Sequence, residues 1–122
     1  MCIFSAVPAS AMIFSKDLKI SDANERCLDY HKASSISELE GPIRDSGFWP
    51  VVISHVRAAL NGKSSIVEYA FKDPESGKDL WAKAAVAPCK DTSGNMLGVS
   101  VVERDVTFKR EMLTELRQLN IA

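Results

Sequence analysis

A chain of 122 residues, 46% hydrophobic and 25% charged, has room for one real core and not for two domains. Its formal net charge of −1 gives no bulk attraction to nucleic acid or to an anionic membrane. No apolar run approaches the roughly 18 residues of a membrane-spanning helix, and residues 1–7 lack the basic flank of a signal peptide. The three cysteines, Cys2, Cys27 and Cys89, are odd in number and fall at no metal or redox spacing. Free thiols in a reducing cytoplasm are expected, with Cys27 and Cys89 acting as small hydrophobes.

In chain order, residues 11–14 (Ala-Met-Ile-Phe) read as a strand, Lys16-Asp17 as a turn and residues 18–20 as a second, alternating strand. Asp22 or Asn24 can cap a short helix over residues 25–31, with Glu25 in its first turn and Cys27, Leu28 and Tyr30 turned inward. Ser35-Ile36-Ser37-Glu38 has capping-box spacing, and Gly41-Pro42 should stop that helix after one turn. A longer helix is predicted over residues 48–60. Pro50 falls in its first turn, Trp49, Val52, Ile53, Val56 and Leu60 form one stripe, and Asn61-Gly62 ends it.

Three strands follow. Residues 64–72 alternate, with Val67, Tyr69 and Phe71 on one face and Glu68 and Lys72 on the other. Loop chemistry over residues 73–78 leads to an alanine-rich strand over residues 80–88, and a second loop over residues 91–95 leads to the last strand. From Met96 to Val102 the only polar residue is Ser100, as in a strand buried on both faces, and the strand should stop at Arg104-Asp105. The apolar spacing then turns helical: Phe108, Met112, Leu116, Leu119. The order predicts an α+β fold, a five-stranded antiparallel sheet with helices on one face and a C-terminal exit helix. The small alanines leave room above the sheet, either for close helix packing or for a ligand.

The order of elements and six local signatures resemble the PAS domain of bacterial signalling proteins, with its C-terminal PAC part. The signatures are Asp22-Ala23-Asn24, Ser37 to Gly41, Leu60-Asn61-Gly62-Lys63, Asp73 to Trp81, Asp91 to Gly98, and Arg104-Asp105-Val106-Thr107 with Lys109-Arg110-Glu111. The hairpin segment departs from the family pattern by extra residues on both sides of Gly77. The resemblance implies a non-catalytic sensor core over residues 1–107 and a signalling helix over residues 108–122. Such a module binds a small molecule, or simply dimerises, and regulates an attached histidine kinase or diguanylate cyclase in a two-component or related pathway.

Carried onto this sequence, the resemblance implies that Asp105 and Thr107 latch the exit helix to the sheet, with Lys83, two positions after Trp81, as partner of Asp105. Met112, Leu113, Leu116 and Leu119 stand at or beside a coiled-coil seam, which suits a homodimer; the alternative is a helix folded back on its own domain. The residues expected to line a ligand site are Trp49, Val52, Val56, Tyr69, Ala84 and Val101, the tyrosine hydroxyl being the polar tip that orients a ligand. A filled core is the other reading of the same set.

No cofactor is recognisable. The cysteine motif of covalent flavin binding is absent, and the position of the haem-ligating histidine of oxygen-sensing relatives holds Val51, with His55 at the edge of the apolar stripe. Two separated histidines supply no evident metal site. A small α+β enzyme is the contrasting class, but Asp29, Glu68 and His55 fall on different elements and form no nucleophile-base set. A sealed, purely dimerising domain is the third reading.

Overall fold

The structure is a computed structural model and describes residues 9–45, 48–73 and 76–121. Five strands, β1 (Ser10–Phe14), β2 (Ile20–Ala23), β3 (Ser65–Lys72), β4 (Asp79–Lys90) and β5 (Met96–Asp105), form one antiparallel sheet in the order β2-β1-β5-β4-β3. Helices α1 (Glu25–Tyr30), α2 (Ile36–Asp45) and α3 (Phe48–Leu60) carry the chain from the β2 edge to the β3 edge. They cover one face, and α4 (Thr107–Ile121) leaves the end of β5. The α+β architecture expected from the pattern is the one observed.

Local chemistry sets the helix limits. The Asn24 side chain caps α1, its Oδ1 accepting from the Cys27 amide at 2.9 Å. The same buried side chain accepts from the Ala11 amide and donates to the Ala9 carbonyl, so it fastens the start of α1 to β1. At the end of α3, Gly62 adopts φ +89°, and the Gly62 and Lys63 amides close onto Ala59 and Ala58.

Two boundaries and the burial of the last strand stand out against expectation. β2 begins at Ile20, because Leu18 sits in the turn with φ +65°. α2 continues through Gly41-Pro42 to Asp45, since Gly41 does not take the left-handed conformation that would end it. β5 stops at Arg104-Asp105 as expected but is not buried on both faces: Val99, Val101 and Glu103 point toward the helices and are buried, while Ser100 and Val102 on the other face are only partly covered.

The core lies between the sheet and the helices and contains Met12, Phe14, Cys27, Leu39, Val52, Val56, Ala59, Tyr69, Ala82, Ala84, Val86, Val99 and Val101. Residues paired across antiparallel strands share a face. The register therefore lays out an inner row Val67–Ala84–Glu103–Ser10 beside a second row Tyr69–Ala82–Asp105. A glutamate thus stands in the middle of the helix-facing side of the sheet. Near the other end of β5, Gly98 allows close approach, since a Cβ there would meet the Phe14 carbonyl oxygen at 2.2 Å.

Candidate functional site

Glu103 is the largest departure from the apolar pattern of the inner face. It is 1% exposed, and a buried carboxyl is unfavourable unless its oxygens find donors. It finds them on three elements. The Tyr69 hydroxyl of β3 donates to Oε2 at 2.5 Å, Ser10 Oγ of β1 donates to Oε1 at 3.4 Å, and His31 Nε2 lies 2.8 Å from Oε1 at the end of α1. Tyr69 has to reach across β4 to make its bond, and it does so above Ala82 and Ala84, the residues paired with Tyr69 and Glu103. The room that the alanines leave is used here for a polar bridge between β3 and β5.

Cys27 completes the cluster. Burial raises its thiol to about 12, with the Glu103 charge adding to the rise and a hydrogen bond from Ser10 opposing it. Burial first, then the charge and hydrogen bond of Glu103, push the Tyr69 phenol far above its ordinary range, and Tyr30 is raised by burial, Glu103 and Asp105. An open cleft of about 360 Å³ leads to this cluster from solvent, lined by Ala9, Ser10, Arg26, Tyr30, Glu103, Arg104 and Asp105.

A second polar arrangement holds the start of α4. Asp105 Oδ1 accepts from the Thr107 amide at 2.8 Å, closing the turn into the helix. Thr107 Oγ1 accepts from the Trp81 amide at 2.8 Å and donates to the Trp81 carbonyl, while the Val106 amide donates to that carbonyl at 2.8 Å. One turn further on, the Arg110 guanidinium lies 3.6 Å over the Trp81 ring and pairs with Glu68 at 3.7 Å. Asp105 and Thr107 are thus both at the junction: Asp105 holds the Thr107 amide, and Thr107 in turn engages Trp81.

The expected contact between Asp105 and Lys83 is not formed. Lys83 pairs with Arg104 in the ladder and Asp105 pairs with Ala82. The offset of one residue turns the two side chains to opposite faces of the sheet. Among the described residues Lys83 makes no ion pair.

Beyond this junction α4 runs free of the core: Phe108, Met112, Leu113, Leu116 and Leu119 are exposed, the last at 73%. Among the described residues, nothing beyond its first turns folds the helix back on the sheet. Of the six residues expected around a ligand, Val52, Val56, Tyr69, Ala84 and Val101 meet in the buried core, and Trp49 packs at its edge against Phe14. The cleft described above is lined by none of them. His55 turns to Ser65 on β3, with 2.8 Å between Nδ1 and Oγ.

Sequence reasoning passed over Glu103, Ser10 and His31. The available signal was the period of two: residues 99, 101 and 103 fall on one face, so a buried Val99 and Val101 imply a buried Glu103.

No protein-family model matches the chain, and no curated protein matches it. Solved structures do. The PAS domain of a protein from Colwellia psychrerythraea is similar at TM-score 0.64 and 18% identity, covering 85% of this chain and 91% of that one. The PAS domain of Bordetella pertussis BvgS is similar at TM-score 0.61 and 17% identity, with coverage of 98% and 92%. Vibrio cholera VqmA, in a complex with ligand and DNA, is similar at TM-score 0.69 and 16% identity; the match covers 85% of this chain and 49% of VqmA. At these identities the similarity establishes the fold.

Proposed function

Because the chain has the PAS fold, we propose that it is a non-catalytic sensory module that regulates a covalently attached output domain through α4. The observation that carries this reading is the way α4 is held. A few contacts to Trp81 and Glu68 fix its first turn, and the rest of the helix projects with an apolar stripe uncovered. Exposed charge pairs and single hydrogen bonds contribute roughly 1 kcal/mol or less each. A junction of that strength holds a default position and yields to a modest change in the sheet.

The stripe Met112-Leu116-Leu119, with Leu113 beside it, has the 4-then-3 spacing of a coiled-coil seam and supports a parallel homodimer. An output domain of histidine-kinase or diguanylate-cyclase type, working in the cytoplasm, suits a signal delivered as a shift or rotation of paired helices. No helix among the described residues is long and apolar enough to cross a membrane.

The decisive experiment is Thr107→Val, with Asp105→Ala beside it, in the full-length protein, scored by output activity. Altered basal output with an intact core supports the latch; unchanged output in both variants removes it. Analytical ultracentrifugation of the wild type and Leu116→Glu tests the dimer. A second reading, a sealed dimerisation module, is favoured by the complete burial of Val52, Val56, Ala84 and Val101. Native mass spectrometry separates the two: a copurified small molecule favours the sensor, and a bare dimer favours the sealed module.

A further inference from the structure

Three metal-ligating side chains converge beneath the cleft. Cys27 Sγ, His31 Nε2 and a Glu103 carboxylate oxygen all lie within 4.8 Å of one another. Two of them come from one turn of chain: Cys27 is inside α1 and His31 is its C-cap residue, a Cys-x-x-x-His spacing that puts both on one side. The third comes from β5. We propose that this cluster binds a zinc-class divalent cation, through the Cys27 thiolate, the His31 imidazole and the Glu103 carboxylate, with the fourth position open toward the cleft for water or a small donor.

Donor chemistry and geometry both fit. Sulfur, imidazole nitrogen and carboxylate oxygen are the ligand types that zinc takes, at bond lengths of about 2.0–2.3 Å. Around a tetrahedral ion such ligands stand about 3–4 Å apart. Here His31 and Glu103 touch at 2.8 Å and no separation exceeds 4.8 Å, so small side-chain movements admit the ion between them.

Charge also balances: a thiolate and a carboxylate offset the two positive charges, and the thiol proton leaves to solvent through the cleft. Outer partners are in place as well. Tyr69 holds Oε2 at 2.5 Å and so directs Oε1 toward His31, while Ser10 Oγ donates to Oε1 at 3.4 Å. Groups in that position orient ligands and typically alter metal affinity by about 10–100-fold.

The cleft supplies access. Glu103 and Ser10 line it, with Asp105, Arg26 and Arg104 also at its wall. Its carboxylates and guanidiniums balance, so the three ligating side chains rather than the field of the cleft select a cation. Glu103 and Asp105 are both on β5, two residues apart, so a cation at Glu103 acts on the strand that ends at α4. The inference names a ligand class for the sensory reading and rests on that reading only for the signal. Binding is measured without any output domain, so a failed titration and an unresponsive output are separate results.

The test is titration of the reduced 122-residue chain with Co²⁺, followed by displacement with Zn²⁺. One equivalent of Co²⁺ should give a thiolate-to-cobalt charge-transfer band and the strong visible absorption of a four-coordinate ion, both abolished by Zn²⁺. Cys27→Ser, which keeps the size of the side chain, should remove the charge-transfer band. His31→Gln should weaken binding at least tenfold, and Tyr69→Phe roughly tenfold, with circular dichroism confirming that each variant is folded. The proposal is overturned by absence of the band in the wild type, which would mean that the three side chains form a hydrogen-bonded cluster only. It is equally overturned by a band that survives Cys27→Ser, or by an affinity unmoved by His31→Gln.

Discussion

Glu103 and Thr107 are four residues apart, yet they hold the molecule together in opposite ways. Glu103 is enclosed, and Tyr69, Ser10 and His31 reach its carboxyl from three elements. Thr107 is half-buried and bonds to the backbone of a single residue, Trp81. In the first network every member depends on the others, and loss of one strands a polar group away from water. In the second, water can replace whatever is lost. One end of the same segment is therefore firmly held and the other more easily released, as the proposed signalling role of α4 would need.

The contrast can be tested at both ends. Glu103→Ala should have the largest effect, because it removes the one carboxylate on which Tyr69, Ser10 and His31 converge; we expect a loss of about 3–5 kcal/mol in urea unfolding. A loss below 1 kcal/mol would mean that the network is not a unit. Tyr69→Phe removes one donor and should lower stability by about 1–3 kcal/mol, with no change in hydrogen exchange along α4.

Alkaline pH attacks the same region. Cys27 and Tyr69 hold their protons more tightly folded than unfolded. Below pH 9.0, the ordinary value of the thiol, both states keep these protons and stability is flat. As pH rises from there toward about 12, the unfolded chain releases protons that the folded chain retains, and stability falls. Unfolding midpoints measured from pH 8 upward should decline, less steeply in Cys27→Ala; a rise would reverse the assignment.

At the releasable end, Thr107→Val should lower global stability by only about 1 kcal/mol while speeding amide exchange in the first turns of α4. Smallest of all is Lys83→Ala, which should leave both stability and α4 exchange unchanged within error. A clear effect would show that Lys83 does reach Asp105 in solution.

What the sequence made legible was local. Asn24, Gly62 and the loops over residues 73–78 and 91–95 act through their own backbone neighbourhoods, so α1, α3 and both hairpins were placed within a residue or two. The alternation of β3 carried its own inside and outside, which put Tyr69 in the core. The errors arose where the outcome depends on partners far along the chain. Lys83 and Asp105 are correctly spaced in sequence, but the β4–β5 register turns them apart. Glu103 sits in a Val-Val-Glu-Arg-Asp run that ends like any strand entering solvent. Its burial follows from Tyr69, Ser10 and His31 arriving from three other elements. Gly41-Pro42 is a strong local stop signal, and α2 passes through it.

The order of strands has a consequence in time as well as in space. β1 lies in the interior of the sheet, but one of its two neighbours is the last strand, and Ser10 meets Glu103 across 93 positions. Closing so long a loop delays the contacts that reward it, and sheets built from distant pairings fold slowly. During synthesis the opening hairpin must wait until β5 has emerged before its open edge is filled. We therefore expect folding of this domain to be limited by arrival of β5, the strand that carries both the glutamate cluster and the route to α4.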